Sequence, residues 1–371
     1  MRKLQRRRLR KKDIIKRRIL ITTLLFSLTF ILVIGYSAFS TAINLSAKGN
    51  IYKVSDKCYE TSDNGDGTVT ITGYDKTCGN EINIPSTIKG LTVTKINNGG
   101  WSNQIGFYGP FYNKGLTSVI IPDTITVIGD NAFVDNNIAY LKLGKNVQKI
   151  GTEAFASNNL TALTLPNSLT SIGTRAFGNN NLTSIDIPSS VTYLGGGSFA
   201  NNNFKEEDAF IYGRNSDGSI NYEELDSCAI KNGSNLTLPN VKTISSNACR
   251  GVYFKNLTIP SSVEHVGFIA FSGNNAQTLT LNEGIKIIEG QAFENGDYKE
   301  LTIPNSVEGI DFSAFRNAKL IKVTIGSGVT KIDDTAFISN PDLKTININK
   351  AENSVAGSPW GAPNATINWL K

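Results

Sequence analysis

The apolar positions of this chain recur on a fixed plan. Four consecutive stretches align without gaps: "LTSVIIPDTITVIGDNAFVDNN" from Leu116, "IAYLKLGKNVQKIGTEAFASNN" from Ile138, "LTALTLPNSLTSIGTRAFGNNN" from Leu160 and "LTSIDIPSSVTYLGGGSFANNN" from Leu182, a period of 22 residues. Phe133, Phe155, Phe177 and Phe199 mark the spacing, which resumes at Phe271, Phe293, Phe315 and Phe337. Cys249 takes the same slot once, 22 residues before Phe271. Within a unit, Leu163 and Leu165 alternate around Thr164, the spacing of a strand with one face inward. Leu169, Ile172, Ala176 and Phe177 then return to the interior. So few apolar side chains cannot bury one another within a single unit, so units must stack and share a continuous core. Each coil then adds one strand to a parallel sheet on one face of the rod, at roughly 4.8 Å per strand. About eleven coils predict a rod of roughly 50 Å. The phenylalanines should stack as one wall, each burying on the order of 150–250 Å².

Two places break the period. Pro85 to Pro122 is 37 residues, 15 beyond one unit, with the excess near "KGLT" and in the glycine-rich "GGWSNQIGFYG". Phe199 to Cys249 is 50 residues, 28 beyond one unit. There "AFIYGR" reads as a strand and "NSDGS" as a turn, which makes the coil expanded rather than interrupted.

The stretch "LTLPNSLTSIGTRAF" resembles the BspA-type leucine-rich repeat, whose pattern is LxLPxxLxxIgxxAF. The resemblance runs from about Tyr59 to the C-terminus. It includes the opening "YETSDNGDGTVTITGYDK" and the closing "SPWGAPNATINW". Cys249 for Phe, Ser198 for Ala, and Gly144, Asn282 and Gly326 for Pro depart from the pattern without disturbing the fold it implies. The resemblance implies a bacterial, surface-exposed solenoid, some members of the family acting in adhesion to host proteins or other cells, and it implies no catalytic residues. The fold expected is a repeat solenoid of the leucine-rich repeat class, with 22-residue coils, following an N-terminal transmembrane helix.

Charge changes the picture only at the N-terminus. Residues 1–18 hold eleven Arg/Lys and one Asp; subtracting these from 37 basic and 31 acidic groups leaves 26 and 30 on the rest, about −4. Nucleic-acid binding by the folded part is therefore not expected. The basic tail runs into the uncharged Ile19 to Phe39, long enough to cross a bilayer as a helix. The cationic flank should stay in the cytoplasm with the remainder outside. A cleavable signal is the rival, since "AFS" and "STA" offer small-residue cleavage sites and would leave a secreted product. The organisation expected is a cytoplasmic tail (1–18), a signal-anchor (19–39) and a linker (40–50), then a cap hairpin with a first irregular repeat (51–115). Repeats (116–203), an expanded repeat (204–235), further repeats (236–345) and a C-terminal cap (346–371) follow.

Disulfides persist outside the cell. Cys58 and Cys78 bracket a hairpin around "DNGDG", and Cys228 and Cys249 form a second possible pair; the alternative for all four is a small buried apolar side chain. No Cys/His cluster suggests zinc, and no metal or cofactor is expected. "DNGDG" and "NSDGS" lack the alternating acidic ligands of a calcium loop and read as turns. His265, the one histidine, falls on an outward slot without an acid–nucleophile set, so no catalytic residue is named.

Partner-binding candidates come from irregularity. The glycine-rich loop carries Trp101, Phe107 and Tyr108, side chains favoured at binding hot spots. On the sheet face Tyr140, Lys142 and Asp186 are the least generic outward residues, among a ladder of threonines that β-propensity explains. The expanded coil adds Tyr212 and Arg214. Trp360 and Trp369 should seal the last coil. Asparagine repeats at the coil corner: Asn137, Asn159, Asn181 and Asn203 precede coil starts, with Asn136, Asn158, Asn180 and Asn202 one position earlier. Asparagine tolerates left-handed backbone, and stacked amides can form a ladder; Asn181 is the residue expected to hold the corner. The resulting expectation is a monomeric, non-enzymatic surface protein binding an extracellular protein or glycan. The alternative is a structural spacer with no ligand.

Overall fold

The computed structural model describes residues 56–102, 106–233 and 237–371, which fall in one compact unit. The basic tail, the apolar segment and the linker lie outside the described residues.

The chain winds as a β-solenoid of about 13 turns. The expected strand ladder is present. Glu81–Asn83, Ser118–Ile120 and Tyr140–Lys142 pair in parallel, with Leu141 opposite Val119. Asn256–Ile259 pairs with Thr278–Leu281, Thr258 facing Thr280. Glu300–Ile303, Lys322–Ile325, Thr345–Ile348 and Thr366–Trp369 complete it. The ladder lapses at 163–165 and 185–187, where no strand forms.

A single sheet on one face is not what the structure shows. A second parallel ladder runs through Leu91–Ile96, Val127–Ile128, Lys149–Ile150, Ser171–Ile172 and Tyr193–Leu194. It resumes through Thr243–Ile244, His265–Val266, Ile287–Ile288, Gly309–Ile310 and Lys331–Ile332. The reason lies in the backbone. The corner that turns Ile172 inward is flanked by coils on both sides, and its peptide groups must find partners there. Two-residue strands bonded to the adjacent coils supply them.

The wall of rings forms and is longer than the sequence spacing indicates. Phe111 joins it, its ring centroid 4.5 Å from that of Phe133. Phe155 and Phe177 are stacked at 5.5 Å and within 1° of parallel, as are Phe271 and Phe293. Trp360 closes the wall: it is fully buried, and its carbonyl accepts the Phe337 N–H at 3.0 Å. Trp369 packs edge-on against it at 6.2 Å.

The expanded repeat is a complete extra coil. Fifty residues from Phe199 to Cys249 are two periods of 22 plus six. The strand and turn read from sequence form an antiparallel hairpin, Phe210–Arg214 against Ile220–Cys228, and its second strand joins the second ladder at Thr243–Ile244. In this coil the Ala–Phe pair is replaced by Asp226–Ser227, which stand 22 residues before Ala248–Cys249. Both are fully buried. Two successive coils thus lack a ring, the hydrophobic core divides into two clusters, and Cys228 and Cys249 bridge the gap as a disulfide with Cα atoms 4.8 Å apart. A second disulfide, Cys58–Cys78, ties the cap hairpin Tyr59–Asp63/Thr68–Tyr74.

The corner residue is Asn180, not Asn181. Asn180 is fully buried. Its Nδ2 donates to the carbonyls of Phe155 at 2.9 Å, Phe177 at 3.2 Å and Gly178 at 3.3 Å. Its Oδ1 accepts the Leu160 N–H at 3.1 Å. Asn136, Asn158, Asn202 and Asn340 repeat this arrangement. The buried amides therefore clamp backbone from the preceding coil instead of bonding to one another. Left-handed backbone falls one residue earlier still, at Asn179 and Asn201, and it is these side chains that form an amide ladder, at 2.7 Å. Asn181 is half-buried and accepts from Asn203 and, at 2.8 Å, from the Lys231 ammonium.

Candidate functional site

Two ladders give the solenoid two outward-facing columns, and the candidate residues divide between them. Tyr140 and Lys142 lie exposed on the first ladder. Asp186 is exposed two coils on, where strand pairing has lapsed. These three share a column but enclose no hollow.

On the second ladder the register places Lys95, Val127, Lys149, Ser171 and Tyr193 in one line. Tyr193 is 56% exposed. The sequence reading missed it because it took this slot as a corner, not a strand. A recurring polar residue before each inward Ile or Leu was the available signal.

The glycine-rich loop forms a two-stranded ribbon, Gly100–Ser102 against Gly106–Tyr108, with Trp101 opposite Phe107. The side chains of Trp101 and Phe107 lie outside what the structure describes. The Tyr108 ring is 45% exposed and folds over Gly100, where an added methyl group would meet it. Gly99 and Gly109 pack backbone to backbone at the ribbon's base, too close for any side chain. The glycines thus let the ribbon lie down on the rod.

Two adjoining hollows follow. One, of about 320 Å³, lies between the cap hairpin and the ribbon, bordered by Glu60, Asn98, Tyr108 and Lys114. The other, of about 290 Å³, continues along the second ladder from Asn98 past Asp130 and Lys149 to Tyr193. Asn98 is common to both. The structure therefore joins Tyr108, expected from the sequence, to Tyr193, which was not.

In the hairpin, Tyr212 and Tyr222 pack at 5.1 Å and Tyr222 is 64% exposed. Arg214 is half-buried and its Nε lacks a hydrogen-bond partner. Burial lowers its pKa, with the charge of Asp226 and then of Tyr222 pulling the other way. Arg214 is better placed to balance Asp226 than to meet a partner in solvent. Asp226 accepts Ser198 Oγ at 2.8 Å and Ser227 Oγ at 2.6 Å, both on Oδ2, while Oδ1 has no partner. Desolvation pushes its carboxyl up to about 7 against the pull of these two hydroxyls, and Glu224 adds to the rise.

His265 is half-buried, its Nε2 2.9 Å from Glu289 Oε1. Glu289 also accepts the Phe268 N–H at 2.6 Å, so this pair is tied to the coil. In the turns read from sequence, Asp66 accepts the Thr68 N–H and hydroxyl, and Asp217 accepts the Ser219 N–H at 2.9 Å and hydroxyl at 2.6 Å. Those bonds hold both carboxyls below their ordinary range. Among the described residues no group of three His, Cys, Asp or Glu is arranged to hold a metal ion, and no helix is long and apolar enough to cross a membrane.

Comparison with known proteins agrees with the coil pattern. The family described as "BspA type Leucine rich repeat region" matches in six copies over residues 103–208 and 219–357. Among solved structures, the chain is similar to a leucine-rich repeat protein from Eubacterium ventriosum at 20% identity, covering 86% of this chain and 84% of that one, with a TM-score of 0.57. It is also similar to the pneumococcal vaccine antigen PcpA at 20% identity, covering 84% of this chain and 96% of that one, with a TM-score of 0.53. At these identities the likeness is one of fold. No curated protein gives a sequence match.

Proposed function

The chain belongs to the BspA-type leucine-rich repeat family, and we propose that it is a non-enzymatic cell-surface protein whose solenoid binds an extracellular protein or glycan. The observation that carries this reading is the exposure of tyrosine rings on a rod whose other rings are packed away. Tyr108, Tyr140, Tyr193 and Tyr222 stand out of the surface, whereas the wall phenylalanines are fully buried. Tyrosine offers a broad apolar face and a polar tip at low entropic cost, which suits recognition. Surface display is supported by the basic tail and apolar stretch at residues 1–39, with the N-terminus cytoplasmic and the solenoid outside.

The test is attachment. Cells displaying the full chain are compared with cells displaying a variant in which Tyr108, Tyr140 and Tyr193 are alanine. Loss of attachment to a host-matrix coating, with an unchanged circular dichroism spectrum, is the expected result. Equal attachment by both, or by cells lacking the protein, would leave the spacer reading in its place.

A further inference from the structure

The two hollows that meet at Asn98 form one shallow trough along the second ladder, and its construction restricts what it can hold. Its floor is main chain. Gly129, Gly151 and Gly173 stack on successive coils, and a methyl group on any of them would overlap the backbone of the preceding coil. A line of positions without side chains leaves a furrow between flanking residues. Asp130 and Thr152 border it on one side, Lys149 and Ser171 on the other. It contains no deep apolar pit of the kind that receives a leucine or phenylalanine anchor from a protein partner. Its charges balance: Lys149 accompanies Asp130, and Lys114 accompanies Glu60. Neither a polyanion nor a polycation is favoured by such a lining. At one end stands Tyr193, at the other Tyr108, both exposed.

We infer that this trough is a binding site for a neutral, linear oligosaccharide. A sugar chain matches it in each respect. Its hydroxyls pair with the amide of Asn98, the carboxylate of Asp130, the Lys149 ammonium and the Ser171 hydroxyl. The C–H face of a pyranose lies on a tyrosine ring, whose phenol remains in water. From Lys95 to Tyr193 the ladder crosses four strand intervals, roughly 19 Å at 4.8 Å each, which suits a short chain rather than a monosaccharide. The inference rests on the binding role proposed above and names the ligand class for one of its surfaces.

The experiment titrates the full chain in detergent with cellotetraose, maltotetraose, mannotetraose and chitotetraose, read by calorimetry and by saturation-transfer NMR. At least one should bind, and Tyr193→Ala and Asn98→Ala should each weaken it about tenfold, the effect of losing one stacked ring or one good hydrogen bond. Tyr222→Ala, outside the trough, should leave it unchanged. No binding to any of the four, or binding equal in wild type and Tyr193→Ala, overturns the inference. If attachment of displaying cells still falls with Tyr193→Ala, the binding role survives and only the ligand class is wrong. If attachment is also unaffected, this trough has no part in the binding role.

Discussion

Asp226 makes the stability of the hairpin coil depend on pH, and the size of the effect follows from its burial. The carboxyl is fully buried, has hydroxyl donors on one oxygen only, and is pushed from an ordinary 3.8 up to about 7. The folded state therefore holds this proton more tightly than the unfolded state. Stability from this group is complete below the unfolded value near 3.8 and is lost as pH rises through about 7. At 1.36 kcal/mol per pH unit the full span is about 4 kcal/mol, of which about 2.5 kcal/mol falls between pH 5 and pH 8. The coil has no wall phenylalanine and sits where the core divides, so the loss should appear locally before it appears globally. Hydrogen-exchange mass spectrometry, expressed as protection factors to remove the intrinsic pH dependence, should show residues 209–228 protected at pH 5 and opened at pH 8. The coils around Phe155 and Phe293 should change little. Asp226→Asn, which keeps the acceptor and cannot ionise, should abolish the difference and hold the hairpin closed at pH 8. Equal protection at both values in the wild type, or a pH dependence that survives in Asp226→Asn, would refute the argument.

Asn180→Ala should destabilise the solenoid by about 3 kcal/mol, because it strands the buried Leu160 N–H and Phe155 carbonyl; Asn181→Ala, at a half-buried side chain, should change the urea midpoint by under about 1 kcal/mol. Phe293→Ala removes a fully buried ring stacked on both sides at 5.5 Å, and a loss of about 3–5 kcal/mol in urea unfolding is expected. Gly173→Ala drives a methyl group into the backbone of the Gly151 coil, so the melting temperature should fall by an amount matching about 1–3 kcal/mol.

The period of 22, the inward alternation of Leu163 and Leu165, the ring wall and the turn at 215–219 were all determined by the sequence alone. Each depends on which side chains face inward within one coil, and that is a local property recorded directly in the order of apolar and polar residues. What touches what between coils was decided by stacking. Asn180 and Asn181 are neighbours in sequence and both polar. Only the fold shows that the first meets the carbonyl of Phe155, 25 residues earlier. The second ladder is equally hidden, since a two-residue strand has too little pattern to announce itself and exists because adjacent coils complete its hydrogen bonds. Asp226 reads as a polar residue in an irregular insertion. It becomes a buried acid because the insertion is one period plus six residues, which carries it into the slot an alanine holds elsewhere. The trough from Tyr108 to Tyr193 joins residues 85 positions apart, brought together by the glycine line and the folded-down ribbon, neither of which has a side chain whose pattern could have shown it.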